Sequence, residues 1–251
     1  MMLSSPKSEV AMKAALSNSP FSEPFTWRQI PWGMHYRAAL ELRLTPWWPK
    51  LFGYHLLKLG ALSADLATDR CTISHQVNVA AEGEHLQVIT DLAHLPFAAK
   101  SVDACLLGHS LGYAAAPHRV LREVDRVLVD DGWLIISGFS PFSLLGVGRL
   151  VPGLRRRPPY NSRMFSMGRI MDWLTLLNYE VLEASRFQVL PWHQPSMSLL
   201  SRHFPAMGCL MLIVARKRTI PLTLTPQRAL HARPGMRRAL GGAAKILRRP
   251  G

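Results

Sequence analysis

Three short apolar runs between Gln87 and Ser143 constrain the fold more than any other feature of this chain. They are Gln87 to Thr90, Val102 to Gly108 and Trp133 to Ser137, each bounded by polar residues, Gly or Pro. Their length is that of a strand rather than a helix, and their near-continuous apolarity is that of strands covered on both faces. Between the second and third, PHRVLREVDRVL places Val120, Leu121, Val124, Val127 and Leu128 on one helical face and Arg119, Arg122, Glu123 and Arg126 on the other. Pro117 suits the first turn of this helix, and Gly132 is expected in a left-handed position just past its end. Strand, amphipathic helix and strand at this spacing make a βαβ unit. The predicted class is therefore α/β, an open, mostly parallel sheet with helices on both faces.

In such a sheet ligands bind beyond the carboxyl ends of the strands, where the strand order reverses. Asp91 stands at one such end, Gly108, His109 and Ser110 at another, and Gly138, Phe139 and Ser140 at a third. A carboxylate there can accept from an amine or hydroxyl of a ligand. It can equally cap the turn leading into HLPF.

TDLAHLPFAAKSVDACLLGHSL followed by PHRVLREVDRVLVDDGWLIISGFSP resembles the middle motifs of class I S-adenosylmethionine-dependent methyltransferases of the small-molecule type. The matching pieces are Asp91, Leu95 to Phe97, Ser101 to Asp103, and Glu123 to Gly132. Val102 stands where the family usually has Phe, and Asp130 and Asp131 where it often has Pro and Gly. The whole chain is also similar to a bacterial group of methyltransferase-like proteins. The resemblance implies a Rossmann-like fold, S-adenosyl-L-methionine as cofactor and methyl transfer to a small-molecule acceptor. It places Gly60, Asp91, Leu92, His109 and Ser110 at the cofactor, with His109 also a candidate general base. A methyltransferase-like domain that has lost catalysis and serves as an interaction or nucleic-acid-associated protein is the alternative.

The chain departs from the family where the first strand ends. An acidic residue and three glycines at alternate positions are usual there, but LLKLGALSA keeps only Gly60, with Lys58 in the acidic place and Leu62 and Ala64 in later glycine places. Lys58 would repel the ammonium group of the cofactor unless its side chain turns outward or pairs with the cofactor carboxylate. Only 31 positions separate Gly60 from Asp91, little room for two helices and a strand. CTISHQVNVAA reads as the second strand and lacks a carboxylate at its end. Glu82 or Glu84 can replace it, or can be solvated turn acids.

Ahead of this region, Tyr36, Leu40 and Leu44 share a helical face that ends at Pro46, with Trp27, Trp32, Trp47 and Trp48 around it. These tryptophans can stack on a substrate or pack the helix over the crevice. After the third strand, Gly146, Gly148, Pro152, Gly153, Pro158 and Pro159 punctuate a lid-like connection near 141–165. Arg155 to Arg157, Tyr160, Asn161 and Arg163 there can receive an anionic group or form a solvated turn. Ser166 is an N-cap candidate for a helix with Ile170, Trp173, Leu174 and Leu177 inward. NYEVLEASRF and GCLMLIVARKR read as an edge strand and a last strand. His193, His203, Asp172 and Glu180 are further polar candidates.

Residues 1–23 read as a flexible segment, 24–218 as the methyltransferase-like domain and 219–251 as a basic, disordered tail. From Arg216 onward there are ten Lys or Arg and no acid, in a chain with net charge +14. That tail is suited to non-specific contact with nucleic acid or an anionic surface. Cys71, Cys105 and Cys209 are far apart and read as free thiols, no ligand cluster suggests a metal, and no long apolar run suggests a transmembrane segment. The expected location is cytoplasmic.

Overall fold

The computed structural model describes residues 24–149, 153–154, 157–188 and 208–218. Seven strands form one sheet in the order β3-β2-β1-β4-β5-β7-β6. They are β1 His55–Leu59, β2 His75–Ala80, β3 Val88–Ile89, β4 Val102–Gly108, β5 Leu128–Phe139, β6 Tyr179–Phe187 and β7 Leu210–Lys217. The first five run parallel, and β7 inserts antiparallel between β5 and β6. The order reverses between β1 and β4.

Period-two alternation divides the core into two layers. Leu56, Leu106, Ile135, Leu212 and Val214 face helix α1 (Gly33–Leu44), with Trp27, Tyr36, Leu40, Leu44 and Trp48 filling that side. Leu57, Leu107, Leu134, Ile136 and Ile213 face α3 (Pro117–Val127) and α5 (Met167–Leu176), which contribute Val120, Val124, Ile170 and Leu174. Both faces are covered, which is why these strands read as continuous apolar runs. Trp27, Trp47 and Trp48 are buried with α1, whereas Trp32 stays 51% exposed. The packing alternative holds for three of the four tryptophans.

The central βαβ unit lies where the sequence places it, with Pro117 opening α3. The turn after α3 differs from expectation. Asp131, not Gly132, takes the left-handed conformation, at φ 62°. Gly132 lies inside β5, where an added Cβ would come within 2.6 Å of Leu128 Cγ and 2.9 Å of the Val129 carbonyl oxygen. Its smallness answers crowding rather than backbone sign. The first predicted strand is also shorter, only Val88–Ile89.

Little chain is spent between β1 and β3. Helix α2 is a single turn, Ala61–Ala64, and the 81–87 connection from β2 to β3 contains no helix. Asn78 replaces the missing helix with hydrogen bonds. Its backbone N–H donates to Gln87 Oε1 at 2.7 Å, its carbonyl accepts from Gln87 N at 3.0 Å and its side-chain amide donates to the His85 carbonyl at 2.9 Å. Ser166 Oγ accepts from Arg169 N and caps α5 as expected. The connection after β5 contains a further short helix, α4 (Leu144–Gly148), N-capped by Ser143.

Candidate active site

Gly60 leaves β1 at φ 98°, a conformation that a Cβ disfavours, and starts α2. Its N–H donates to the Val79 carbonyl at 2.8 Å, tying the turn to β2. Ser63 ties it to β4. The Ser63 hydroxyl donates to the Leu59 carbonyl at 2.6 Å and accepts from Gly108 N at 2.7 Å. Trp27 closes the turn from above, its indole N–H donating to the Leu62 carbonyl at 3.0 Å. Leu62 is fully buried. Strand ends β1 and β4, the short helix and the leading tryptophan thus form one packed unit at the point of strand reversal.

Lys58 neither turns outward nor reaches toward a ligand carboxylate. Its ammonium donates to the Leu66 carbonyl at 2.8 Å and the Ala64 carbonyl at 3.2 Å, with Thr68 Oγ1 at 3.4 Å. These groups lie in and just past α2, where carbonyls lack helical partners and favour a cation. Burial holds the Lys58 pKa below the usual lysine range, partly opposed by nearby Asp69, Asp65 and Glu41.

Beyond β4 the chain turns sharply. His109 has φ 64° and is buried, and its N–H donates to the Ser137 carbonyl at 3.0 Å. Nδ1 lies 3.1 Å from Ser137 Oγ, while Nε2 has no hydrogen-bond partner. The ring meets Trp27 and Phe139 edge-on, with centroids 5.1 and 4.4 Å away. Desolvation pushes its pKa down to about 3, so the imidazole is neutral near pH 7. A base poised near working pH needs a higher value. His109 is therefore a neutral hydrogen-bonding group. Ser110 Oγ and Ser140 Oγ are likewise buried without partners. Beside His109 lies a cavity of about 10 Å³, lined by Ile136, Phe139, Phe165 and Met211 with Ser137, Ser162 and Arg163. That is room for a single water.

Asp91 follows β3 and is exposed. One carboxylate oxygen accepts from Ala93 N at 3.0 Å, the turn-capping alternative, while the other lies 3.6 Å from His94 Nδ1. Leu92 is buried in the α3 layer. The following loop is held from α3. Arg126 donates to the carbonyls of Leu95 at 3.0 Å and Phe97 at 2.9 Å, and Glu123 accepts from Leu95 N at 3.2 Å. Hydrogen bonding to Arg126 holds the Glu123 carboxyl below the usual range. The Glu123/Arg126 pair thus clamps the loop that leaves Asp91.

Gly60, His109 and Ser110 are brought together through Ser63, Gly108 and Trp27. Asp91 stands farther along the same sheet edge, past β2. Glu82 and Glu84 are exposed. Ser63 and Ser137 are the site residues that sequence reasoning left out, and for Trp27 it offered no partner. Their partners lie 35, 45 and 28 positions away, so no local pattern marks them. Arg155, Arg156, His193, His203 and the 219–251 tail lie outside the described residues. Among the described residues, no group of three or more His, Cys, Asp or Glu side chains is placed to hold a metal ion. The three cysteines are free thiols.

The strand order, the reversal at β1 and β4 and the Gly60 turn define a class I S-adenosylmethionine-dependent methyltransferase fold. Residues 59–136 match the family described as "Methyltransferase domain". A protein from Haloferax volcanii, solved in complex with the Trm112 methyltransferase activator, superposes with a TM-score of 0.54 at 16% identity, covering 74% of this chain and 90% of the other. The S-adenosylmethionine dependent methyltransferase from Mesorhizobium loti gives 0.54 at 16% identity, covering 73% and 100%. The uncharacterized Escherichia coli (strain K12) protein YafS is 56% identical over 239 residues, which is 95% of this chain and 99% of that protein. The chain belongs to the family of YafS, within the class I methyltransferase-like proteins.

Proposed function

We propose that this protein transfers a methyl group from S-adenosyl-L-methionine to a small-molecule acceptor. The observation that carries the proposal is Gly60, held at φ 98° between the end of β1 and α2, at the reversal of strand order. It is the one glycine of the expected glycine-rich turn that the sequence keeps. S-adenosyl-L-methionine supplies an activated methyl group on a sulfonium.

The chain's own residues fit the cofactor in part. The Gly60 turn brings backbone close to the methionyl part, Asp91 orients the adenine amino group and Leu92 positions that loop. His109 and Ser110 line the boundary between donor and acceptor, and their unpartnered Nε2 and Oγ atoms are hydrogen-bonding capacity for a ligand. Alignment supplies most of the rate when the acceptor is already a nucleophile, so the low basicity of His109 is no obstacle. It donates or accepts a hydrogen bond and excludes water.

Lys58 and Leu62 carry the second reading. A fully buried Leu62, bonded through its carbonyl to Trp27, fills space that glycine would leave open. On this reading the fold is retained without catalysis, and partners are held elsewhere. Calorimetric titration with S-adenosylhomocysteine separates the two. Methyl transfer predicts saturable binding to the wild type that weakens at least about tenfold in Asp91→Ala, the loss of a charged hydrogen-bonding group, with unchanged unfolding temperature. No binding by a folded wild type supports the second reading.

A further inference from the structure

The connection that leaves β5 presents an apolar tip beside the carboxyl end of the sheet. Leu145 is buried and anchors α4 in the α1 layer, while Phe142, Leu144 and Val147 face outward with 64%, 41% and 63% exposure. The turn is tightly built. Ser143 Oγ donates to the Ser140 carbonyl at 2.7 Å and caps α4, and a Cβ on Gly146 would come 1.7 Å from the Pro141 carbonyl oxygen. Three large apolar side chains are therefore displayed on a fixed backbone, as an intended surface feature is.

The stretch of sequence that carries the tip has charge of one sign. Between Asp131 and Asp172 the sequence contains no acidic residue and six arginines, Arg149, Arg155, Arg156, Arg157, Arg163 and Arg169. Arg186 adds a guanidinium 5.9 Å from the Phe142 ring. Apolar side chains that enter the acyl boundary, with cations at headgroup level, form the combination that binds anionic bilayers. A soluble acidic protein would match the charge but would not call for an apolar point this small.

We propose that the Phe142, Leu144 and Val147 tip docks on an anionic phospholipid bilayer, bringing the carboxyl end of the sheet against the membrane. Docking at this tip does not depend on methyl transfer. The test is flotation of the full-length protein with phosphatidylcholine vesicles, with and without phosphatidylglycerol, at physiological salt. The wild type is expected to float only with the anionic vesicles. The double substitution Phe142→Ser and Val147→Ser is expected to reduce that partitioning about tenfold or more, since two exposed apolar groups lose their burial in lipid. Leu176→Ser is the control. Leu176 is 82% exposed at the end of α5, just before the chain enters β6 at the opposite end of the sheet, and its substitution should change nothing. The proposal is overturned if the wild type does not float, or if the double variant floats as the wild type does, which assigns attachment to the basic tail alone.

Discussion

Lys58 and His109 show how single residues shape the candidate site. Lys58 stands where an acidic residue is expected and directs its charge under α2, where the Ala64 and Leu66 carbonyls receive it. Lys58→Met should lower stability by about 1–3 kcal/mol in urea unfolding, because two carbonyls lose a charged donor. His109 adds a pH dependence. Its imidazole titrates near 6.5 when unfolded and is pushed down to about 3 by burial when folded. Above pH 6.5 both states are neutral and stability is full. As pH falls from there toward 3, only the unfolded chain takes up the proton and stability drains away, by an amount on the order of a few kcal/mol. His109→Asn, which tolerates the left-handed φ, should flatten that decline in thermal melts between pH 7 and about 4. The identity of Lys58 was legible in the sequence; the direction of its side chain was not, since Ala64 and Leu66 accept it only after α2 has formed.

The central elements were readable because burial on both faces makes the strands short continuous apolar runs and burial on one face imposes a 3.6 period on α3. The same patterns could not show that Asp131 rather than Gly132 carries the positive φ, because crowding against Leu128 is a tertiary effect. The short path from Gly60 to Asp91 was readable by spacing, and Asn78 shows how it closes without a helix. The contact between α2 and β4 was not readable at all. A Cβ on Gly108 would come 2.6 Å from Ser63 Oγ and 3.1 Å from Ser63 Cα, so backbone must shift to admit it. Gly108→Ala should cost about 1–3 kcal/mol as an overpacking change, visible as a lower unfolding temperature. It should also weaken S-adenosylhomocysteine binding by displacing the Gly60 turn.

At the scale of the whole molecule, the β7 insertion and two covered faces create a rigid sheet whose reversal point lies between β1 and β4. Gly60 and His109 converge there, and Asp91 lies two strands away on the same edge. No helix among the described residues is long and apolar enough to cross a membrane. We propose that S-adenosylmethionine-class ligands bind along this edge. Hydrogen-exchange mass spectrometry of the full-length protein with and without saturating S-adenosylhomocysteine tests it most directly. Ligand binding there should add protection in peptides spanning residues 59–64, 91–97 and 108–112, with β6 and β7 unchanged. Protection absent from all three peptides, or confined to other elements, would contradict it.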